Sequence, residues 1–522
     1  MTPEAGAPSR CDLLITGGRV LDPETGFDAV GWVAITGDTI TGVGAGDPEP
    51  GLVAGRGIEV PGQVVAPGFV DLHSHAQTVN GARLQALDGV TTAFELESGA
   101  LPVDAHYAWA ADHGRPIHYG FSAAWAVARM AVLDGAEVST PQASPADRLA
   151  FRTFERHQDL PRWRGPAEPV EEHRIVETVR RQLEAGAIGV GLLQGYVPGS
   201  RLEELDLLAG LAAEADQPLF VHARDIAPTG PYTAVDAVLE LIDASERHGA
   251  PIHLCHMNST SIRRADDVAD ALLAAQARGI RITTEAYPYP AGSTVIGAAF
   301  LAPEQLARNG MKPTDLTYLR TGERVRDADR LRELRESDPG GLCITRNFDL
   351  DDPEDLRMLL RCLTFPGAAI GSDAMPMVHV GDPGAPTAEQ ARRALTEDVW
   401  PLPPGLFAHP RSAGCFATAL SWVVRELGAL DLLEVVRRAT VVPAGILGRA
   451  VPAMARKARL QPGMDADVTV FDPDRVAPGS DFTALRPSTG FSHVIVAGTP
   501  VVDGGELVTT ALPGRALTGV PR

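Results

Sequence analysis

The amino-acid sequence predicts an α/β fold, a TIM-like (β/α)8 barrel joined to a small β-sandwich domain built from both chain ends. Three observations lead to this prediction. Short apolar segments alternate with helical segments through the middle of the chain, and eight such apolar segments can be counted. Both chain ends instead contain short strands separated by glycine turns. The length of 522 residues is ample for two domains.

The β-sandwich is predicted to combine residues 1–66 with residues 451–522, and the barrel to occupy residues 67–450 between them. Strand-like composition is found on both sides of the barrel. The segments concerned are 13–20, 31–35, 466–472 and 493–498. Because the two ends have the same strand-and-turn texture, we expect them to build one small β-sandwich together, with the middle of the chain inserted between them.

The barrel prediction depends on eight apolar segments that are followed in several places by helical patterns, as at 234–248 and 265–278. The predicted strands are 66–75, 91–97, 117–124, 188–194, 218–225, 251–258, 281–289 and 368–373. Two connections are unusually long, residues 131–172 and an insertion at about 295–365. Loops of that length are typical of lids, subdomains or disordered segments.

Composition disfavours several classes of partner. The net charge of −21 would repel phosphate backbones and anionic membranes, so neither nucleic acid nor a membrane is an expected partner. The five cysteines show no C-x-x-C pairing, and the first residues lack a basic region followed by an apolar stretch. We therefore expect a cytoplasmic protein with a small-molecule ligand, and a homo-oligomer is compatible with this composition.

The most informative motif is a pair of histidines at one strand end. The apolar run 64–72 is followed by His73-Ser74-His75. Because side chains alternate between the two faces of a strand, His73 and His75 lie on the same face. Two imidazoles that converge from one strand end provide half of a divalent-metal site.

Further polar side chains lie at the ends of other predicted barrel strands. Active-site groups of such barrels collect at the carboxyl ends of the strands, so we predict that these side chains meet at one metal site. The candidates are Glu95, Glu97, His222, His253, His256 and Asp373.

This set of motifs resembles the amidohydrolase superfamily, and the resemblance covers nearly the whole chain. The opening Pro-Gly-Phe-Val-Asp-Leu-His-Ser-His, the later single histidines and the last strand-end aspartate follow the superfamily pattern. Within it, the chain is most similar to the N-acyl-D-amino acid deacylases. The matching segments are Gly-Val-Thr-Thr at 89–92, Gly-Ala-Ile-Gly at 186–189, Tyr-Pro-Tyr-Pro-Ala-Gly-Ser-Thr at 287–294 and His-Pro-Arg at 409–411.

The resemblance implies a site that holds one or two zinc ions. It implies two pairs of ligands, His73 with His75 and His222 with His256, and assigns His253 a structural position. Asp373 would be a further ligand and the general base toward the attacking water. Tyr287 could donate a hydrogen bond to the substrate carbonyl, and the residues that would hold a substrate carboxylate are Ser293 and Arg411.

The sequence departs from the family in two places. Neither lysine, Lys312 or Lys457, lies on a predicted barrel strand, so no lysine can bridge two metals, and Ser98 stands near the bridging cysteine of the D-aminoacylases. A carboxylate suits zinc better than a hydroxyl, which makes Glu97 the bridging candidate and Glu95 the alternative. Asn258 replaces a substrate-binding lysine of the deacylases.

The activity implied is metal-dependent hydrolysis of a linear amide, in which an N-acyl-D-amino acid yields a carboxylate and a free D-amino acid. Two alternatives remain open. One is the opening of a cyclic amide such as a hydantoin or dihydropyrimidine. The other is a catalytically inactive barrel that serves as a scaffold, although the complete set of candidate ligands argues against it.

Overall fold

Eight parallel strands form the centre of the protein in a computed structural model that describes residues 10–138, 149–381 and 387–520. The sheet is nearly closed: the backbone N–H of His75 donates to the carbonyl of Ala374 at 2.7 Å, so the first strand end lies beside the segment after the eighth strand. This confirms the predicted TIM-like barrel. In sheet order the strands are Phe69–Asp71, Val90–Ala100, His118–Ala124, Val190–Leu193, Leu219–His222, Ile252–Leu254, Ile282–Ala286 and Ala369–Ile370.

The first predicted strand is divided between two sheets. Val64–Pro67 pairs with strands of the small sheet, and the barrel strand begins only at Phe69. Gly68 lies at the crossing, where a Cβ would lie 2.2 Å from the side chain of Thr91. The chain therefore changes sheets at a residue that must lack a side chain.

Helices follow most barrel strands, and the predicted helix at 234–248 is observed at Ala234–His248. Its Thr233 cap and Asp236 bond to each other's backbone, and Gly249 ends it at φ 71°. The α-helices are Val79–Ala86, Val103–His113, Trp125–Asp134, Ala150–Arg156, Pro169–Glu184, Leu202–Ala215, Ala234–His248, Met257–Thr260, Ala265–Ala277, Pro303–Leu306, Ala328–Ser337, Pro353–Leu363, Ala388–Ala394, Arg411–Thr418, Leu432–Ala439 and Val441–Leu447, with a π-helical segment at Ala419–Glu426.

Strands from both chain ends form one small sheet, as predicted. Ile15, Val33, Val468 and Ile495 share its apolar core. Within the described ranges its nine strands are Arg10–Asp22, Phe27–Thr36, Thr39–Ala45, Val53–Glu59, Val64–Pro67, Val468–Phe471, Phe491–Val496, Thr499–Asp503 and Glu506–Leu507. Most neighbouring pairs are antiparallel, and the first strand pairs in parallel with the fourth and fifth. The exact domain boundaries stay a prediction.

A buried ion cluster joins this sheet to the barrel. Asp467, just before a strand of the small sheet, accepts from Lys457 Nζ at 2.7 Å and lies 3.1 Å from Nε2 of His118 on the third barrel strand. It also accepts the backbone N–H of Ala497 at 2.8 Å. Burial opposes ionisation, but Lys457 and His118 hold the pKa of Asp467 below its ordinary value.

The long insertion contains a small sheet of its own, which begins slightly earlier than predicted. Its antiparallel strands are Ala291–Val295, Leu316–Tyr318, Glu323–Arg324 and Leu342–Arg346. A separate two-stranded sheet pairs Val378–His379 with Leu406–Phe407. The other long connection, 131–172, lies partly outside the described residues. In the described part of the chain, every helix is too short or too polar to cross a membrane.

Candidate metal centre

Glu97 lies between two pairs of histidines at the carboxyl ends of the barrel strands. Its Oε1 lies 2.9 Å from His222 Nδ1 and 2.7 Å from His256 Nε2. Its Oε2 lies 3.3 Å from His73 Nε2 and 3.5 Å from His75 Nε2. All five side chains are buried. A carboxylate whose two oxygens face different histidine pairs has the arrangement of a bridging ligand.

Asp373 completes this group from the end of the eighth strand. Its Oδ1 lies 3.6 Å from Nε2 of both His73 and His75. The backbones of Asp373 and His256 have φ values of 48° and 31°, a left-handed conformation that is uncommon for residues with side chains. Backbone strain of this kind is concentrated at functional sites, where the surrounding fold must hold it.

Two further carboxylates orient the first histidine pair. Glu285 Oε1 lies 2.5 Å from His73 Nδ1, and Glu95 Oε2 lies 2.8 Å from His75 Nδ1. A hydrogen bond at Nδ1 fixes the tautomer and aims Nε2 at the metal position. Glu95 therefore lies behind His75 on the side away from Glu97, and the geometry favours Glu97 as the bridging ligand.

His253 lies outside the group that faces Glu97, as expected for a structural residue. Its Nδ1 lies 2.9 Å from Thr283 Oγ1, and its Nε2 lies 3.4 Å from Glu285 Oε2. Ser98 also lies to one side, with its Oγ donating to Glu95 at 3.0 Å. Of the two histidines His253 and His256, only the His256 ring faces Glu97 in the described part of the chain.

Carboxylates give the centre a negative electrostatic potential. Burial lowers the pKa of His73 and His75, but the facing carboxylates outweigh it: Glu97 and Glu285 raise the pKa of His73 well above its ordinary value, and Glu95 raises that of His75 to about 9. A site that attracts protons this strongly also attracts a divalent cation. The donor chemistry fits zinc, since His73, His75 and Glu97 form one compact set and Glu97, His222 and His256 form another.

Arg411 occupies a different position from the one expected for a substrate anchor. Its guanidinium is fully buried, with Nη2 2.6 Å from Asp373 Oδ2 and Nε donating to the Asp373 carbonyl at 2.6 Å. It also lies over the Tyr287 ring, 4.5 Å from the centroid. Arg411 therefore lies behind Asp373 and does not line the cavity described next.

A cavity opens beside the histidines. Polar groups line part of it, including the buried hydroxyls of Tyr287 and Ser293, and no described residue offers the Ser293 hydroxyl a hydrogen-bond partner. Burial raises the pKa of Tyr287 to about 12, so its hydroxyl keeps its proton and can donate. Ser293 belongs to the first strand of the insertion, which thus supplies part of the cavity wall.

Four aromatic side chains also line this cavity, Phe151, Phe154, Tyr196 and Phe300, here called the aromatic wall. Neighbouring rings lie 5.2–5.6 Å apart between centroids. Sequence reasoning missed these residues, because they come from loops and short helices that have no strand-end pattern. It also missed Glu285, although a carboxylate inside an apolar predicted strand was a usable signal.

Comparison with known proteins agrees with this architecture. The chain belongs to the amidohydrolase family, whose sequence model matches residues 57–502. An N-acyl-D-glutamate deacylase of Alcaligenes xylosoxydans xylosoxydans is 27% identical over an aligned length of 542, and the alignment covers 97% of this chain and 96% of that protein. A D-aminoacylase of the same organism is 26% identical over an aligned length of 515, and the alignment covers 94% of each chain.

A solved structure has the same fold. The N-acyl-D-glutamate deacylase of Bordetella bronchiseptica, crystallised with zinc and a phosphonate inhibitor that mimics the tetrahedral intermediate, superimposes with a TM-score of 0.71 at 23% identity. The match covers 98% of this chain and all of that one. At this identity the likeness concerns the fold alone.

Proposed function

We propose that this protein is a zinc-dependent amidohydrolase that removes the acyl group from N-acyl-D-amino acids. The observation that carries the proposal is the position of Glu97, whose two oxygens face one histidine pair each. The full-length relatives named for D-aminoacylase and N-acyl-D-glutamate deacylase activity support a linear amide and the D configuration.

The ligands proposed for zinc are His73, His75, Glu97, His222, His256 and Asp373. When bound there, zinc would supply Lewis acidity toward the amide carbonyl and lower the pKa of water. Glu95 and Glu285 would keep the first histidine pair oriented, because both accept at Nδ1. With a proton at Nδ1 of each ring, Nε2 would be the nitrogen that binds zinc.

Asp373 acts as the proposed general base. Its Oδ1 faces the histidines, while its Oδ2 is held by Arg411. Oδ1 would accept a proton from the water that attacks the amide carbon and deliver it to the leaving nitrogen as the C–N bond breaks. The products are a carboxylate and a free amino acid.

Tyr287 and Ser293 are proposed to bind the substrate. The Tyr287 hydroxyl would donate to the carbonyl oxygen as negative charge develops on it, and Ser293 would donate to the substrate carboxylate. Asn258 does not provide the charge of the family's lysine, and its Oδ1 instead accepts the backbone N–H of Tyr287 at 3.2 Å. Asn258 thus helps to position Tyr287.

A substrate screen tests this proposal. Chelator-treated protein and the same protein reloaded with zinc would be assayed with N-acetyl-D-leucine, N-acetyl-L-leucine and a hydantoin. We expect hydrolysis of the D-enantiomer that depends on zinc. Brisk opening of the hydantoin without release of leucine would move the protein to the cyclic-amide class, and no turnover of any compound by zinc-loaded protein would favour an inactive scaffold.

A further inference from the structure

The aromatic wall contacts the metal-binding histidines directly. The Phe151 ring lies 4.6 Å from His75 between centroids, and the Phe300 ring is stacked on His222 at 5.6 Å and 17°. Tyr196 lies 4.9 Å from His222. A substituent of a substrate whose reacting carbonyl lies between these histidines would therefore lie against aromatic carbon.

The described side chains that line the cavity with this wall lack a permanent positive charge, since none of them is lysine or arginine. Arg411 is engaged by Asp373, and Asn258 stands where the family has a lysine. Arg346 lines a neighbouring groove, which shares Met311 and Asn347 with the cavity. In its described part, the cavity thus offers hydroxyl groups for one carboxylate and no lysine or arginine for a second.

Resting on the proposed function, we propose that this enzyme selects N-acyl-D-amino acids with a neutral, apolar side chain, and that Phe300 is a specificity-determining residue. An acidic side chain would lose its hydration against the aromatic wall without gaining a charged partner. An apolar side chain instead gains by leaving water. The specificity therefore differs from that in the name of the N-acyl-D-glutamate deacylase relative.

Phe300 is the member of the aromatic wall best suited to test this inference. It lies in the short 3-10 helix Ala299–Leu301 and is only partly buried, whereas Phe154 is 1% exposed and contacts Trp163 in the main core. Replacement of Phe300 therefore removes part of the wall at less risk to folding.

The first test is a panel of N-acetyl-D-amino acids given to the zinc-loaded full chain. We expect kcat/KM for the leucine and phenylalanine derivatives to exceed that for the glutamate and aspartate derivatives by about 100-fold, the discrimination expected when a charge must be buried without a partner. A preference for glutamate or aspartate would overturn the inference and leave the deacylase proposal standing. No turnover of any member would instead refute the deacylase proposal.

The second test determines whether the aromatic wall binds the side chain or the acyl group of the substrate. In Phe300→Ala, KM should rise for the D-leucine and D-phenylalanine derivatives and stay near the wild-type value for the D-alanine derivative, whose methyl group is too short to reach the missing ring. Phe482→Ala, which removes a 42% exposed phenylalanine from the neighbouring groove, is the matched control and should leave all three unchanged. If Phe300→Ala alters the response to acyl-chain length and not to side-chain size, the wall binds the acyl group and the inference is wrong.

Discussion

At the scale of residues, the sequence predicted that the strand-end histidines, Glu97 and Asp373 would meet, but it did not predict the contacts of Glu285 and Arg411. Strand-end positions and ligand chemistry led to the histidines and Glu97, because the spacing of side chains along a strand is fixed by its geometry. The pairing of Arg411 with Asp373 could not be predicted, since it depends on a helix that begins 38 positions later in the chain. The distance between two residues so far apart in the sequence is set by tertiary packing.

Asp373→Asn should separate proton transfer from metal binding. The amide keeps an oxygen toward His73 and His75 but cannot accept a proton. We expect turnover to fall by about 10²–10⁴-fold, with a zinc content close to that of the wild type. The measurements are kcat and zinc per chain on the same preparation, and near-native turnover would rule out the general-base role.

Arg411→Lys should affect kcat more than KM. Lysine keeps the charge but loses the fork that contacts both the carboxylate and the carbonyl of Asp373. If Arg411 positions the base, kcat should fall by roughly 10–100-fold while KM changes little. Steady-state kinetics decide the matter: a rise in KM at constant kcat would show that Arg411 binds the substrate carboxylate after all.

At the scale of elements, the apolar segments predicted all eight barrel strands, because buried parallel strands are continuous apolar runs. The transfer between sheets at Gly68 was missed, since both strands on either side of it are apolar. The sheet in the insertion was also missed, because its strands are two to five residues long. Segments this short have too few residues to establish a period.

Asp88 stabilises the helix that carries Arg411, and this contact should depend on pH. Its carboxylate accepts the backbone N–H groups of Phe416 and Ala417, which follow the break in helical geometry at Gly414. Burial raises the pKa of Asp88 to about 7. Between about pH 4 and pH 7 the folded state therefore holds a proton on Asp88 that the unfolded state has released. The stabilisation that comes from this bound proton decreases as pH rises from about 4 toward 7.

Asp88→Asn removes that titration. The difference in Tm, variant minus wild type, should increase between about pH 4 and pH 7, because only the wild type loses stability from this group. Thermal melts of both proteins at matched ionic strength measure it. A difference that stays constant or decreases over this range would contradict the account of Asp88.

At the scale of the whole molecule, the barrel and the small sheet depend on each other through the cluster around Asp467. The composition predicted that the chain ends share a sheet, but not that Lys457, one of two lysines, would be buried against it. The cytoplasmic location expected from composition stays a prediction, and a homo-oligomer stays compatible with it. We expect the cluster around Asp467 to contribute to the free energy of unfolding.

Asp467→Ala should destabilise the protein by about 3–5 kcal/mol, because it leaves the buried ammonium of Lys457 without its closest partner. Denaturant unfolding measures the effect, with Asp481→Ala in an exposed turn as the control, expected to change stability much less. Equal stability of the two variants would show that the cluster does not hold the domains together.

The central claim is that Glu97 joins the two histidine pairs into a metal centre on which activity depends. The most direct test measures the number of zinc ions bound per chain in the wild type, in Glu97→Ala and in Glu95→Ala. Circular dichroism on each preparation confirms folding. We predict that Glu97→Ala loses zinc and hydrolysis of N-acetyl-D-leucine together, whereas Glu95→Ala keeps more of both, since Glu95 contacts only His75 Nδ1 among the histidines. Full zinc content in Glu97→Ala, with loss of zinc in Glu95→Ala, would contradict the account.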